Sequence, residues 1–385
     1  IDVSVTGTIA GGADADTLDL STAGGSLSIA LSSVASTNQF AGTDSITGGF
    51  SGISSLTGAS GDTLTGLDVT STWTTTSYTD GTDTLTISGV DKFQGGTDVD
   101  TFNISSGTLL TLAGGSGADQ FNITGGDVTT SISGEAGDDT FDIDVSLAGT
   151  SIVGGTDADT LDLSDLGGSL SIALTSVAST NEFAGTDGVT GGFSGISSLT
   201  GASGDTLTGL DVASTWTTTS YTDATTQTLT ISGIDKFQGG TDVDTFNISS
   251  GTLLTLAGGS GADQFNITGG DVTTSISGEA GADNFDIDVS VSGTIAGGAD
   301  ADTLDLSTAG GALSIALTSV ASTNEFGGTD GVTGGFSGIS SLTGASGDTL
   351  TGLDVTSTWT TTSYTDGTDT LTISGVDNFQ GGTDV

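Results

Sequence analysis

The chain of 385 residues contains no cysteine, proline, methionine or histidine, and only two of its residues are basic. Without cysteine or histidine, the chain has neither disulfides nor metal sites built on thiolate or imidazole ligands. The two basic residues, Lys92 and Lys236, face 48 acidic ones, so nothing could neutralise the phosphates of a nucleic acid. Binding to anionic membrane surfaces is excluded for the same reason.

Apolar residues are also scarce, at 33% of the chain with only 5% aromatic. No apolar run approaches the length of a membrane span, so we expect no direct membrane insertion. A low apolar content with a formal charge of -46 is typical of disordered chains, but here the apolar residues are regularly spaced. That regularity favours an ordered fold, and the charge indicates that the fold needs cations to neutralise it.

Glycine is abundant, and the glycine-rich stretches repeat at two levels. Related decamers begin at 95, 114, 134 and 154, reading GGTDVDTFNI, GGSGADQFNI, GEAGDDTFDI and GGTDADTLDL, and they return at 239, 258, 278 and 297. The short period is therefore about 20 residues and the long period about 143. Self-similarity of this kind is typical of solenoids, whose length is counted in rungs.

Each decamer ends in a stretch where apolar and polar residues alternate, as at Phe102 and Ile104 or at Phe121 and Ile123. Residues two apart share one face of a β-strand. A second β-rich stretch follows after another glycine-containing turn, so two strands and two turns make a rung. Parallel stacking would place Phe over Phe and Ile over Ile. The sequence therefore predicts an all-β, parallel β-solenoid with rungs of about 20 residues and about seven rungs per repeat.

The repeats predict one continuous solenoid. Residues 1–10 match the end of a repeat, repeat 1 covers 11–153, repeat 2 covers 154–296, and repeat 3, which is incomplete, covers 297–385. Because the sequence opens and closes within a rung, we expect a piece of a longer repetitive protein or a subunit whose ends pair head to tail. The expected partner is thus more of the same repeat, arranged in a filament.

Two segments of repeat 1 are longer than a simple rung. One contains Asp80-Gly81, a dipeptide that could turn a hairpin outward. The other, residues 34–57, is expected to form a rung with an enlarged loop.

The pattern GGxGxDxUx, in which U is a large apolar residue, resembles the repeats-in-toxin family of calcium-binding secreted proteins. Gly114, Gly115, Gly117, Asp119 and Phe121 match it position by position. The resemblance implies a parallel β-roll in which stacked turns hold Ca²⁺ between them through backbone carbonyls and the Asp carboxylate. Physical chemistry points the same way, because calcium takes several hard oxygen ligands and glycine lets carbonyls converge.

Some decamers depart from this pattern. Four of them carry Asp where the family has its third glycine, a substitution that Asp tolerates better than most residues, and Glu135 replaces a second glycine. The opposite turns lack the pattern, so calcium would bind along one edge only. The predicted metal ligands are the turn aspartates Asp14, Asp16, Asp98, Asp100, Asp119, Asp139, Asp157, Asp159, Asp242, Asp244, Asp263, Asp283, Asp300 and Asp302. Solvated turns without any ion remain the alternative.

These features lead us to expect a structural segment and not an enzyme: part of a secreted, extracellular or cell-surface solenoid that serves as an adhesin stalk, a filament or a matrix fibre. Any secretion signal is expected outside this sequence. A glycan-binding module is one alternative, because Trp73 and Tyr78 recur in every repeat, although packing inside a widened rung is favoured. A carbohydrate-active β-helix enzyme is disfavoured, because near-identical units argue against one unique active site.

Overall fold

The computed structural model describes residues 1–383, so Asp384 and Val385 of repeat 3 lie outside the described residues. The chain forms two compact units, one of residues 1–167 and 176–201, the other of 168–175 and the residues from 202 onward. Both are built from strands and turns. No helix among residues 1–383 is long and apolar enough to cross a membrane.

The first unit is a β-solenoid whose strands alternate between two sheets, which we call sheet A and sheet B. Its strands in chain order, together with the strand that spans the boundary of the two units (β17), are β1 (Ile9–Ala10), β2 (Thr17–Asp19), β3 (Ser28–Ser36), β4 (Gln39–Thr43), β5 (Phe50–Ile53), β6 (Ser55–Thr57), β7 (Thr63–Thr65), β8 (Ser71–Thr74), β9 (Ser77–Thr79), β10 (Thr84–Ser88), β11 (Lys92–Gln94), β12 (Asp100–Ser116), β13 (Gln120–Ala136), β14 (Thr140–Ile143), β15 (Ser151–Thr156), β16 (Thr160–Asp162), β17 (Ser171–Ser179), β18 (Glu182–Thr186), β19 (Phe193–Ile196) and β20 (Ser198–Thr200).

The order of strands in each sheet follows the rungs. Sheet A runs β2-β6-β10-β9-β8-β12-β13-β14-β16-β20, and sheet B runs β1-β5-β4-β3-β7-β11-β12-β13-β15-β19-β18. The long strands β12 and β13 serve both sheets, because the pairing register shifts midway along them. Within repeat 1 each sheet has seven parallel strands, which confirms the predicted rung count.

Each sheet of repeat 1 also carries one antiparallel strand, β9 in sheet A and β4 in sheet B. The enlarged loop at 34–57 is therefore a hairpin that pairs with the sheet. The hairpin at Asp80-Gly81 forms as well, but its strand joins sheet A instead of turning outward, because Tyr78 on that strand is buried. One insertion in each sheet lengthens both sheets equally and keeps the rungs in step.

The second unit repeats this plan. Its strands are β21 (Thr206–Thr208), β22 (Ser214–Thr217), β23 (Ser220–Asp223), β24 (Thr228–Ser232), β25 (Lys236–Gln238), β26 (Asp244–Ser260), β27 (Gln264–Ala280), β28 (Asn284–Ile287), β29 (Thr294–Ala299), β30 (Asp302–Asp305), β31 (Ser314–Ser322), β32 (Glu325–Thr329), β33 (Phe336–Thr343), β34 (Thr349–Thr351), β35 (Thr358–Thr360), β36 (Ser363–Thr365), β37 (Thr370–Ser374) and β38 (Asn378–Gln380). Sheet A runs β24-β23-β22-β26-β27-β28-β30-β33-β37-β36-β35. Sheet B runs β17-β21-β25-β26-β27-β29-β33-β32-β31-β34-β38.

The core consists of apolar ladders along the sheets. Phe102, Phe121 and Phe141 pair in register on β12, β13 and β14, and their rings stack with centroids 4.9 Å apart. All three are completely buried. The second unit has the same ladder in Phe246, Phe265 and Phe285. The predicted alternation of strand faces and the Phe-over-Phe register are confirmed.

The tryptophans of repeats 1 and 2, Trp73 and Trp216, lie inside this core, whereas Trp359 of repeat 3 is half-buried. Trp73 on β8 is fully buried, and its ring lies 5.2 Å from that of Phe93 on sheet B, so the two sheets face each other here. Its hairpin partner Tyr78 is equally buried and accepts a hydrogen bond from the backbone N–H of Leu67 at 3.0 Å. In repeats 1 and 2 the aromatic pair therefore fills the rung that the extra strand widens, as expected, and its rings are not exposed to a glycan.

The phenylalanine ladder gives the first prediction. Phe121→Ala removes a fully buried ring between two stacked neighbours and should lower the free energy of unfolding by about 3–5 kcal/mol. Denaturant unfolding of the full chain measures the change. The neighbouring Gln120→Ala, on the exposed side of the same strand, serves as control and should change stability by less than about 0.5 kcal/mol. Equal effects of the two substitutions would contradict the assigned strand face.

Candidate metal centre

The predicted aspartates include a column of four in the first unit, at the entrance of sheet A. Asp100, Asp119, Asp139 and Asp159 each end a glycine-rich turn, and each carboxylate is buried at 0–1% exposure. The second unit has the same column in Asp244, Asp263, Asp283 and Asp302. We call each column an aspartate ladder. Buried carboxylates are uncommon without a partner charge, which singles these positions out.

Hydrogen bonds along the ladder tie each turn to the next. The backbone N–H of Asp100 donates to Oδ1 of Asp119 at 2.7 Å, that of Asp119 to Asp139 at 2.8 Å, and that of Asp139 to Asp159 at 2.9 Å. Corresponding bonds of 2.8–2.9 Å link the ladder of the second unit. Every ladder aspartate beyond the first thus reaches back with one oxygen to the preceding rung.

The other carboxylate oxygen explains the first glycine of the decamer. A Cβ on Gly114 would lie 2.2 Å from Oδ2 of Asp119 and 2.8 Å from the carbonyl oxygen of Gly134. On Gly134 the corresponding distances are 1.9 Å to Asp139 and 2.6 Å to the carbonyl oxygen of Gly154. Any side chain would occupy the place that these two oxygens share. Each turn therefore has a small cradle lined by one carboxylate and one carbonyl oxygen.

In the described residues, Oδ2 has no hydrogen-bond partner in Asp119, Asp139 and Asp159, nor in the copies Asp263, Asp283 and Asp302. This is a property of the ladder and not of buried aspartates in general. Asp62 is equally buried, but its oxygens accept from the backbone N–H groups of Leu27 at 2.7 Å and Ala59 at 2.8 Å. A buried oxygen without a partner costs free energy, so the ladder is incomplete without a further group.

Charge repulsion acts on the same oxygens. Carboxylates on neighbouring strands about 4.8 Å apart repel by about 3 kcal/mol per pair at an effective dielectric constant of about 20. Burial, together with the charge of nearby carboxylates, raises the pKa of Asp119, Asp139 and Asp159 to about 7. In the second unit burial raises the pKa of Asp263 and Asp302 to about 7 as well. The ladder therefore favours neutralisation, either by protons or by a cation.

The donor set suits a hard cation. The groups that converge in the cradles are carboxylate and carbonyl oxygens, which calcium prefers. Among residues 1–383 no three acidic side chains come close enough to form a metal cluster by themselves. A cation here would therefore be held by ladder aspartates together with glycine carbonyls, the combination that the resemblance implies.

The fourteen predicted ligands fall into three groups. Eight form the two ladders, Asp16 is half-buried, and the exposed ones on the turn surface are Asp14, Asp98, Asp157, Asp242 and Asp300. Asp157 and Asp300, at the third-glycine position, have the left-handed φ of +85° and +80° that this position suggested. Glu135 likewise replaces glycine at a φ of +76°. The ladder aspartates are the stronger candidates, because their carboxylates are buried and line the cradles.

Sequence reasoning missed two features of this edge. The first is the buried aspartate of GASGDTLT, namely Asp62 and its copies Asp205 and Asp348, whose turn is one residue shorter than the decamer. The second is the hydroxyl of Ser71, which donates to Oδ1 of Asp100 and closes the end of the ladder. Ser214 does the same for Asp244. The GxxGD spacing could have revealed the first feature, whereas no pattern marks the serine.

Comparison of the chain with protein-family models and with curated protein sequences gives no match. The resemblance to calcium-binding repeats thus rests on the decamers and on the oxygen-lined geometry of their turns.

The cradle gives the second prediction. Gly114→Ala places a methyl group on Oδ2 of Asp119 and should lower the free energy of unfolding by at least about 2 kcal/mol, measured by denaturant unfolding. The control is Gly167→Ala, where no atom lies within 4 Å of the new Cβ. Comparable stability of Gly114→Ala and wild type would show that the turn opens easily and that the cradle is not a fixed feature.

The raised pKa values give the third prediction. An aspartate whose pKa rises from 3.8 unfolded to about 7 folded binds more protons in the folded state between these values. Its contribution is therefore complete below about pH 4 and is lost as pH rises through about 7. In chelator, the Tm should fall as the pH is raised from about 5 to about 8. A Tm that rises over this range would contradict the buried, unneutralised ladder.

Proposed function

We propose that this chain is a structural segment of a secreted, repetitive β-solenoid stabilised by calcium, serving as an adhesin stalk or as an extracellular or cell-surface filament. The observation that carries the proposal is the row of buried, partnerless Oδ2 atoms on the ladders. Such a row is unfavourable in a stable rod unless a cation or protons neutralise it. At the pH of most extracellular fluids a cation is the effective neutralising group.

Calcium would be held by Asp119, Asp139 and Asp159 with the carbonyls of the first glycines, and by their copies in the second unit. Its contribution is positive charge, which removes the repulsion between successive rungs. Each site filled at a hundredfold excess over Kd adds about 2.7 kcal/mol to stability. A chain that has many such sites would stay unfolded at the low calcium level inside a cell and fold outside it.

The remaining polar groups support a structural role. Nζ of Lys236 donates to the carbonyl oxygen of Gly204 at 3.0 Å, and Asn378 in repeat 3 donates to the matching carbonyl of Gly347 at 3.2 Å. Because asparagine makes the same contact in repeat 3, the lysine stabilises the turn and is not needed for a chemical reaction. The ladder aspartates occupy equivalent positions rung after rung, which suits a repeated scaffold better than one active site. We therefore propose no enzymatic activity.

The partner that suits a solenoid scaffold is more of the same repeat. Each rung buries its apolar ladder only against its neighbours, so stability grows with the number of rungs. Open strand edges pair readily with another chain that carries the same register. This is the property that a stalk or filament needs.

The fourth prediction tests calcium directly. Far-UV circular dichroism and thermal unfolding of the full chain are followed in chelator and then with added Ca²⁺ or Mg²⁺. Calcium alone should raise the Tm cooperatively, because the carboxyl and carbonyl donors suit its larger, more flexible shell better than the strict octahedron of magnesium. Equal Tm values in chelator and in calcium would overturn the proposal.

Matched variants separate calcium binding from simple loss of charge. Asp119→Asn with Asp263→Asn neutralises one carboxylate in each ladder, so it should raise the Tm in chelator and reduce the gain from calcium. Asp127→Asn with Asp271→Asn makes the same charge change on exposed turns at the opposite edge. That pair should keep the full gain from calcium. Identical behaviour of the two pairs would mean that calcium acts by general screening.

A further inference from the structure

An open polar groove recurs at the same place in repeats 1 and 3, with volumes of about 540 Å³ and about 690 Å³. In repeat 1 its floor is formed by Thr17, Ser55 and Thr86, which lie side by side on β2, β6 and β10. One wall is the decamer turn at 13–15, and the other is the tip of the β3–β4 hairpin at 37–39. The groove of repeat 3 is built from the matching residues in the second unit.

A reciprocal pair of hydrogen bonds fixes the hairpin tip over sheet A. The backbone N–H of Asn38 donates to Asp83 at 2.6 Å, and the backbone N–H of Thr84 donates to Oδ1 of Asn38 at 2.7 Å. Asn38 has a φ of +54°, which turns the hairpin toward the sheet. In repeat 3 Asn324 makes the same two bonds, at 2.9 and 2.6 Å. The inserted hairpin therefore forms a fixed wall of the groove. A segment that served only as a spacer would not need this hairpin.

The chemistry of the groove selects its ligand. The side-chain hydroxyls of Thr17, Ser55 and Thr86 make no hydrogen bond within the described part of the chain, nor do those of Thr303, Ser341 and Thr372 in the second groove. Three hydroxyls that both donate and accept therefore stand in a row, one per strand. Carboxylates of Asp14 and Asp300 add acceptors, and no basic residue lines either groove, so an anionic ligand would be repelled.

We propose that each groove binds a segment of a neutral saccharide. Sugar hydroxyls are closely spaced groups that donate and accept, which matches the row of hydroxyls on the floor and the carboxylate at its side. None of the lining residues is aromatic, so recognition proceeds by hydrogen bonds and single-groove affinity is modest. Repetition compensates for this weakness, because a polysaccharide that engages several grooves gains avidity.

The two grooves differ at one position, which distinguishes a sugar from a cation. Repeat 1 has Gln39, whose amide donates to the backbone carbonyl of Asp14 at 3.1 Å, whereas repeat 3 has Glu325 beside Asp300. A neutral saccharide would occupy both grooves. A cation would favour the groove with two carboxylates.

The test uses saturation-transfer NMR and calorimetry on the full chain in saturating calcium, with neutral di- and trisaccharides of glucose, galactose, mannose and N-acetylglucosamine. At least one saccharide should bind. Ser55→Val and Ser341→Val together remove the central hydroxyl from both grooves and should weaken binding about tenfold or more. The control is Thr101→Val with Thr245→Val, which removes outward hydroxyls of the same sheet beyond the grooves. Circular dichroism checks that both variants fold.

Three outcomes overturn the proposal. The first is that no saccharide of the panel binds at millimolar concentration. The second is that the serine and threonine variants bind a saccharide equally well, which would place the contact elsewhere. The third is that Glu325→Gln abolishes a calcium-binding signal with which no sugar competes, which would assign the groove of repeat 3 to a cation. Loss of binding in the serine variant, with the control unchanged, establishes the site. Because every arm is run on folded protein, the result stands apart from the role of calcium in folding.

Discussion

The hydrogen bond from the backbone N–H of one turn to the buried carboxylate of the next is the interaction on which each unit depends. It fixes the register of the turns and therefore the register of the apolar ladders that follow them along sheet A. Its cost is a second oxygen without a partner, in a row of like charges. The glycine that opens each decamer leaves room for that oxygen. The recurring spacing of glycine and aspartate, the stacking of the turns and the row of buried charges therefore all follow from one buried aspartate per turn.

The apolar core of the rung needs no such hydrogen bond, because the alternation of apolar and polar residues along β13 already places Phe121 and Ile123 on the buried face. The complication is that each repeat contains two chain insertions. Since one antiparallel strand enters sheet A and another enters sheet B, both sheets grow by the same amount and neither buckles. Trp73 and Tyr78 fill the space that the extra strand opens, which is why the largest side chains of the repeat occur there and nowhere else.

The same insertions interrupt the uniform surface of the rungs. The hairpin tip at Asn38 leaves its own sheet and bonds to the opposite one, and a groove results between them. The two features are separate: the aspartate ladders act on the stability of each unit, whereas the grooves face solvent and present hydroxyls that make no internal hydrogen bond. In the function proposed here, a repetitive stalk with a repeated weak binding groove would combine length with avidity.

The sequence by itself determined the solenoid, the seven parallel strands per sheet of repeat 1, the in-register Phe ladder and the turn aspartates as the chemically unusual residues. It could do so because period-2 alternation and a period of about 20 residues are local properties. Only the tertiary structure decided which aspartates are buried, since Asp98 and Asp100 belong to one decamer and yet Asp98 is exposed and Asp100 is buried. It also decided that β9 lies within the sheet, because a hairpin dipeptide does not say which way the hairpin folds. It decided as well that Asn38 reaches Asp83, because a contact between residues 45 apart leaves no periodic trace in the chain.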